Sequence, residues 1–139
     1  MRVTSRRYLL LLGLLSVTLL GATPDPPGDQ ILGRWLFPSQ GSSVNIYRQR
    51  NRYFVRVADV DQAGERNYGL VKDSVLIRDL GYNGAIWTGG RLIHPKTGIS
   101  LSVEVHMKEP HTLNVTVYKG IKLLRKTFVM NRPQTNNRL

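Results

Sequence analysis

The fold is decided by the stretch Ala85-Ile-Trp-Thr-Gly-Gly-Arg-Leu-Ile-His-Pro-Lys-Thr-Gly-Ile99. Its first half is apolar around a pair of glycines, Gly89 and Gly90. Such a pair inside a strand indicates a β-bulge or a close backbone approach, because only a residue without Cβ accommodates either at low cost. Pro95 then presets φ for a turn, and Gly98 permits the positive φ with which the turn ends. The stretch therefore predicts two strands that fold back on each other as a β-hairpin.

Apolar and polar residues alternate on both sides of this hairpin. From residue 99 to residue 107 every odd position is apolar and every even position is polar, which is typical of a strand with one buried face. Shorter runs of the same kind fill the rest of the chain, and residues 61–66 are predicted as a polar loop. The predicted strands cover residues 31–37, 44–47, 53–60, 75–77 within an irregular segment, 85–93, 99–107, 113–118 and 123–130.

This succession of short strands predicts the fold class. The chain of 139 residues allows one domain with a real core and contains no helical repeat of useful length. A meander of strands in sequence order leaves unpaired edges unless it closes on itself. We therefore expect an all-β protein, a single antiparallel up-and-down barrel of about eight to ten strands.

The N-terminal segment has the composition of a secretory signal peptide. Three arginines lie within the first seven residues, an apolar run covers residues 8–20, and the small residues Gly21 and Ala22 follow. A membrane anchor is the alternative, but the run is shorter than the roughly 20 apolar residues that span a bilayer. We expect a signal helix at 1–22 that is removed, a proline-rich spacer at 23–30, the barrel domain at 31–132 and a polar tail at 133–139.

The composition restricts how the domain can be stabilised, how it can be anchored and where it is located. The formal net charge is +11, and the chain has no cysteine. The absence of cysteine excludes disulfides and a lipoprotein anchor, so the domain must be stable through its core alone. With the signal segment, this predicts a protein exported through the inner membrane, periplasmic or secreted, with no transmembrane span in its mature form.

Two motifs resemble a known family. The segment Trp87-Thr-Gly-Gly-Arg-Leu-Ile-His-Pro-Lys-Thr-Gly98 resembles the Trp-x-Gly-Gly-x-x-x-Asp-Pro-x-x-Gly signature of an exported bacterial family, domain of unknown function 2147. The segment Gly33-Arg-Trp35 looks like the Gly-x-Trp motif that opens lipocalin-like barrels. The resemblance runs from about residue 33 to residue 132 and implies a lipocalin-like, calycin-type barrel. Its structural signature comprises Gly33, Trp35, Trp87, Gly89, Gly90, Pro95, Gly98 and Arg132.

The sequence departs from this family at two places and matches it at a third. His94 stands where the family usually has Asp, and Ile99-Ser100-Leu101 replaces its Lys-x-Tyr, so no role of that carboxylate or hydroxyl carries over. In lipocalin-like barrels an Arg from the last strand covers the ring of the opening Trp. The resemblance implies that Arg132 or, as second choice, Arg125 lies over Trp35 through a cation–π contact.

The sequence is poor in groups for catalysis. A catalytic site needs an acid, a base or a metal held among partners, and His94, His106 and His111 show no metal-ligand spacing. No nucleophile elbow, phosphate loop or dinucleotide fingerprint is present. We therefore predict a non-enzymatic protein without catalytic residues, metal or cofactor.

The inward faces of the predicted strands are candidates for a ligand site. A barrel of about eight strands is just wide enough to be filled by its own side chains or to hold one small apolar ligand, and the sequence leaves both alternatives open. The residues predicted to line the interior are Val44, Ile46, Tyr53, Val55, Val57, Leu101, Val103, Val105, Leu113, Val115 and Val117.

Two groups of basic residues offer a second class of function. The first comprises Arg48, Arg50, Arg52 and Arg56, and the second comprises Lys119, Lys122, Arg125 and Lys126. Such patches attract polyanions, but export argues against nucleic acid and leaves anionic envelope surfaces or acidic proteins as partners. The alternative is that these residues are ordinary solvated charges in turns and bind no partner. Location of both groups at one end of the barrel would favour a functional role.

These observations lead to two hypotheses. The first is an exported, non-catalytic binding protein of the bacterial cell envelope that holds a small apolar, lipid-like or amphipathic anionic ligand in the barrel. The second is a packed barrel that acts as an interaction module through its basic outer surface.

Overall fold

The computed structural model describes residues 24–39, 41–120 and 124–134. A short 3-10 helix at Pro27–Ile31, here called the plug helix, precedes the strands. The strands and the one α-helix are, in chain order, β1 Gly33–Leu36, β2 Ser43–Gln49, β3 Arg52–Asp59, α1 Gln62–Tyr68, β4 Val75–Tyr82, β5 Trp87–Ile93, β6 Ser100–Glu109, β7 Thr112–Lys119 and β8 Leu124–Asn131.

The strands form one closed antiparallel barrel. Each strand pairs with its neighbour in sequence, and β8 returns to β1 through the pair Leu36 and Asn131. This confirms the predicted up-and-down barrel and fixes the number of strands in the described residues at eight. The predicted signal helix lies outside the described residues. None of the described helices is long and apolar enough to cross a membrane.

The plug helix corrects the predicted spacer and first strand. Residues 27–30 belong to the folded domain, and the strand predicted at 31–37 begins only at Gly33. The helix starts with proline, whose fixed φ suits a first helical position, and Leu32 then returns to extended backbone. A five-residue helix is too short to produce an amphipathic pattern, so the sequence predicted a spacer up to residue 30 and a strand from residue 31 instead.

Helix α1 corrects the predicted loop at 61–66. The carboxylate of Asp61 caps the helix by accepting the Gly64 N–H at 2.7 Å, and Gly69 ends it in the left-handed conformation at φ 62°. The Ser42 hydroxyl also donates to this carboxylate at 2.7 Å. These bonds, the one from Ser42 above all, lower the pKa of Asp61 and tie the helix to the start of β2.

The central hairpin has the predicted bulge and turn. The register between β5 and β6 shifts between Trp87 and Gly90, and Gly89 has φ 76°. A Cβ on Gly90 would lie 2.8 Å from the Arg78 carbonyl oxygen of β4, so the two strands need glycine here. In the turn the Gly98 N–H donates to the His94 carbonyl at 2.9 Å.

His94 organises this turn through its ring. Its Nδ1 accepts the backbone N–H groups of Lys96 and Thr97, both at 3.2 Å. An aspartate side chain makes the same bonds to amides two and three residues ahead in an Asx-turn. His94 therefore supplies, with a ring nitrogen, the acceptor that a carboxylate would supply at this position.

The plug helix seals one end of the barrel through hydrogen bonds to side chains. The Trp35 indole N–H donates to the Ile31 carbonyl at 2.9 Å, and the Trp87 indole N–H donates to the Gly28 carbonyl at 3.1 Å. The Tyr53 hydroxyl donates to the Asp29 carboxylate at 2.8 Å. Because these donors come from β1, β3 and β5, the plug is attached around much of the barrel circumference.

Arg132 completes the seal and confirms the predicted contact with Trp35. Its guanidinium carbon lies 4.1 Å from the centroid of the fully buried Trp35 ring. The same guanidinium donates to the carbonyls of Gln30, Leu32 and Pro110 at 2.6, 3.0 and 3.0 Å. Since β8 meets β1 through one residue pair in the described structure, Arg132 also holds this short seam closed.

Replacement of Gly90 by alanine tests the close approach of β4 and β5. We expect Gly90→Ala to lower the free energy of unfolding by about 2 kcal/mol, because the new methyl group meets a backbone carbonyl that cannot move aside. Gly98→Asn is the matched control, since φ there is 71° and the space beside the glycine is open. Asparagine tolerates this conformation and should cost less than about 1 kcal/mol. Equal midpoints of urea unfolding for the two variants would contradict this interpretation.

Replacement of Arg132 by methionine tests the seal. The change removes a cation–π contact and three charge-assisted hydrogen bonds, so we expect a loss of about 2–4 kcal/mol in unfolding free energy. Arg132→Lys keeps the charge without the planar guanidinium group. Its unfolding free energy should lie between those of wild type and Arg132→Met. Arg91→Met, which removes exposed hydrogen bonds to two serines on the barrel wall, should cost less than about 1 kcal/mol. Similar unfolding midpoints for Arg132→Met and Arg91→Met would show that Arg132 does not hold the seam.

The Tyr53 hydroxyl predicts a pH dependence of stability. Burial, together with the hydrogen bond to Asp29, raises the pKa of Tyr53 from 10.0 to about 12. Because the fold favours the protonated form, this contribution is complete below the unfolded pKa and is lost as the pH rises through the folded pKa. The stability difference between wild type and Tyr53→Phe should therefore shrink between about pH 9 and about pH 11. If urea titrations give the same stability difference at both pH values, the raised pKa of Tyr53 is refuted.

Candidate functional site

The strand directions define two different barrel ends. The plug helix lies at the end that carries the β2–β3, β4–β5 and β6–β7 turns, as its contacts with Arg48, Trp87 and Arg132 show. This is the closed end. The opposite, open end carries the β1–β2 connection, helix α1 with the connection to β4, the β5–β6 turn and the β7–β8 connection.

With the closed end placed at the bottom, an apolar cavity of about 500 Å³ occupies the upper part of the barrel. Its walls are formed by Val44, Val55, Leu76, Ile77, Leu92, Leu101, Val115, Val117, Phe128 and Met130. Its mouth, at the open end, is formed by Phe37, Asn67, Tyr68, Leu70, His94, Pro95, Tyr118, Lys119, Arg125 and Lys126. The volume lies within the range of small-molecule sites in proteins, and apolar walls with a few polar groups at one side are typical of them.

The predicted interior residues divide into two sets. Five of them line the cavity: Val44, Val55, Leu101, Val115 and Val117. The other six are buried but do not line it: Ile46, Tyr53, Val57, Val103, Val105 and Leu113. Both alternatives left open by the sequence are therefore present, a packed lower part and a cavity above it. The prediction of a ligand-lining role for the second set is corrected.

Large side chains from other strands cause this division. Trp35 of β1, Leu80 of β4 and Trp87 of β5 are fully or almost fully buried, as is Ile31 of the plug helix, and together they fill the interior near the closed end. Val57 is a separate case, because its backbone bonds to Asp73 and Ser74 place it beneath the connection from α1 to β4. The alternation within one strand shows which side chains point inward, but not what stands opposite them.

The sequence missed the cavity residues of β4, β5, β8 and the α1 region. Tyr68 of α1 packs between Phe37 and Phe128, with ring centroids 5.6 Å apart in both pairs. These three rings attach the helix to the barrel beside the mouth. Phe128, Val129 and Met130 form an unbroken apolar run, and Lys126 on the same face as Phe128 is charged, so alternation did not show which side of β8 faces inward.

Lys126 lies on the inner face of β8. It pairs with Val117, just as Phe128 pairs with Val115 and Met130 with Leu113, and residues paired across two strands share a face of the sheet. Its ammonium nitrogen lies 5.0 Å from the centroid of the Phe128 ring. Lys126 was predicted as part of a basic outer surface, and the register corrects this: it is a cation at the cavity mouth. Arg125 pairs with Tyr118 on the outer face.

Apart from Arg56, the two basic groups lie at opposite ends of the barrel. Arg48, Arg50 and Arg52 belong to the β2–β3 hairpin of the closed end, whereas Lys119, Arg125 and Lys126 surround the open end. Lys122 lies outside the described residues. The condition that would have favoured a joint role for both groups is therefore not met.

Several residues of the first group serve the fold itself. Arg48 forms an ion pair with Asp29 of the plug helix at 2.9 Å. Arg56 donates to the Asp73 carbonyl at 2.7 Å and lies 5.8 Å from the Tyr47 ring centroid. The arginines of the first group with identified partners therefore stabilise the domain, whereas no described carboxylate forms an ion pair with Lys126 at the mouth.

The histidines lie apart from one another. His94 organises the β5–β6 turn, His106 lies on β6 with its Nε2 3.6 Å from a Glu104 oxygen, and His111 is exposed in the β6–β7 turn. In the part of the chain that the structure describes, no three His, Asp or Glu residues are grouped as a metal site would require.

Comparisons with known proteins agree with this architecture. Residues 33–132 match the family described as an uncharacterized protein conserved in bacteria, DUF2147, which confirms the resemblance seen in the sequence. A solved structure described as protein HP1028 from the human pathogen Helicobacter pylori, which belongs to the lipocalin family, is similar in fold. It has 21% sequence identity and a TM-score of 0.57, over 75% of this chain and 83% of that one. No curated protein matches the chain.

Proposed function

This chain belongs to the bacterial family DUF2147 and folds as a lipocalin-like barrel, and from its cavity we propose a non-catalytic protein that binds a small amphipathic anion. The apolar part of the ligand enters the barrel, and its anionic group remains at the open end. The observation that carries this proposal is the inward-facing Lys126 at the mouth of an otherwise apolar cavity.

Lys126 continues the inward row of Phe128 and Met130 but is itself exposed to solvent. Its ammonium group is therefore accessible to a ligand at the mouth. An anion at the mouth would pair with the ammonium group while its apolar portion covers the cavity walls. Lys119 and Arg125 line the same mouth and add to the positive potential there.

The interior supports this proposal better than the outer surface does. An interaction module that works through the first basic group would need Arg48 and Arg56 to be available to a partner. Both side chains are engaged with groups of the same chain. The cations at the open end surround an opening into an apolar space, which is the arrangement that an amphipathic ligand requires.

We place this activity outside the inner membrane. The support is the basic and apolar N-terminal segment of residues 1–22, which has the composition of a secretory signal. Amphipathic anions are abundant in the cell envelope, since phospholipids and fatty acids combine an apolar chain with a charged group.

Filling the cavity should abolish binding of an apolar anion. We expect Val115→Phe to weaken binding of the fluorescent anion anilinonaphthalene sulfonate at least about tenfold, because the larger ring occupies the space that the probe needs. Val129→Phe is the matched control, since Val129 is exposed on the outer wall of the barrel. Equal affinity of the two variants in a fluorescence titration would contradict a cavity site.

An anionic and a neutral probe together test the role of Lys126. We expect Lys126→Met to weaken binding of the anionic probe about threefold to tenfold while the neutral analogue phenylnaphthylamine binds as before. Lys108→Met, an exposed lysine near the closed end, should change neither affinity. A parallel loss for both probes in Lys126→Met would show that the lysine does not recognise the anionic group.

A further inference from the structure

Two exposed apolar side chains lie at the open end of the barrel. The exposed large hydrophobic residues of the described structure are Val71, Ile99 and Val129, with exposed fractions of 43%, 51% and 46%. Val71 lies in the connection between α1 and β4, and Ile99 ends the β5–β6 turn, so both belong to the open end. Val129 lies instead on the outer wall, where it pairs with Asn114.

The two segments that carry Val71 and Ile99 are in contact. A Cβ placed on Gly69 would lie 2.7 Å from the ring of His94, so the residues before Val71 lie against the turn that leads to Ile99. Single exposed apolar residues are common and need no explanation. Here two of them lie on neighbouring segments beside the mouth of an apolar cavity. Scattered single residues would not be expected to lie together in this way.

The charges around these residues are mainly positive. Most acidic groups at the open end are engaged: Asp59 with Arg34, Asp61 with Ser42 and the N-terminus of α1, and Glu65 with Lys96. Asp61, whose donors are neutral, and Asp73 are the acids of this end without an ion pair in the described structure. The cations of this end without a described carboxylate partner are Arg66, Lys72, Lys119, Arg125 and Lys126.

We propose that the open end of the barrel docks on an anionic lipid surface. Val71 and Ile99 enter the interfacial region of the bilayer, and Lys72 and Lys119 contact the lipid headgroups. Apolar groups combined with nearby lysines bind such surfaces, because the lysines are attracted to the anionic headgroups while the apolar groups leave water. The inference rests on the proposed function, because docking in this orientation places the cavity mouth where a lipid-like ligand enters or leaves.

Vesicle co-sedimentation tests the docking surface. The protein purified from its bacterial host, with its N-terminus defined by intact mass, is mixed with vesicles of phosphatidylcholine alone or with added phosphatidylglycerol. We expect binding only to the anionic vesicles, and weaker binding at high salt. The double variant Val71→Asp with Ile99→Asp should lose at least about tenfold in affinity, as should Lys72→Glu with Lys119→Glu. Val129→Asp, which alters an equally exposed valine on the outer wall, should bind like wild type.

Each other outcome overturns the proposal. Equal binding of the Val71 and Ile99 double variant and of Val129→Asp would show that these side chains do not enter the bilayer. Loss of binding only on charge reversal would indicate adsorption without insertion, and equal binding to neutral vesicles would exclude recognition of anionic lipid. Binding of anilinonaphthalene sulfonate is measured on the same samples. Failure of docking with intact probe binding leaves the cavity function standing, whereas loss of the probe response in wild type refutes the proposed function itself.

Discussion

The structure depends on the hydrogen bonds that hold the plug helix across one end of the barrel. Carbonyl groups at a barrel end that is closed to water need donors, and here strand side chains supply them. The indoles of Trp35 and Trp87 and the guanidinium of Arg132 bind carbonyls of residues 28, 30, 31 and 32. Arg132 follows the last strand and grips the segment before the first one. It therefore reinforces the seam that backbone pairing alone holds weakly.

Closure of one end decides where a ligand site can lie. The tryptophans and Leu80 fill the lower interior, so the free volume of the barrel remains above them and opens at the opposite end. Lys126 faces inward at that opening, and further cations surround it. The position of the apolar space is thus a consequence of the bulky residues of β1, β4 and β5 that fill the interior near the plug.

The sequence predicted the parts of this arrangement that depend on local patterns. The alternation in β6 and β7, the glycine bulge of β5 and the pairing of Trp35 with Arg132 each have a local or family signature. The plug helix and α1 are too short for a helical period and were missed. Val103 and Val115 look alike in sequence, yet only Val115 lines the cavity, because the difference lies in what the other strands place nearby. Lys126 was assigned to the outside because it was grouped with the neighbouring basic residues Lys119, Lys122 and Arg125.

The central claim is that the cavity above the plug holds an amphipathic anion. Mass spectrometry of small molecules released on denaturing the protein, purified from the envelope of its own host, tests this claim most directly. We expect a recurrent lipid-like anion, near one molecule per chain, that is absent from a Val115→Phe preparation. The absence of any such molecule from wild type, or its equal recovery from Val115→Phe, would contradict the claim.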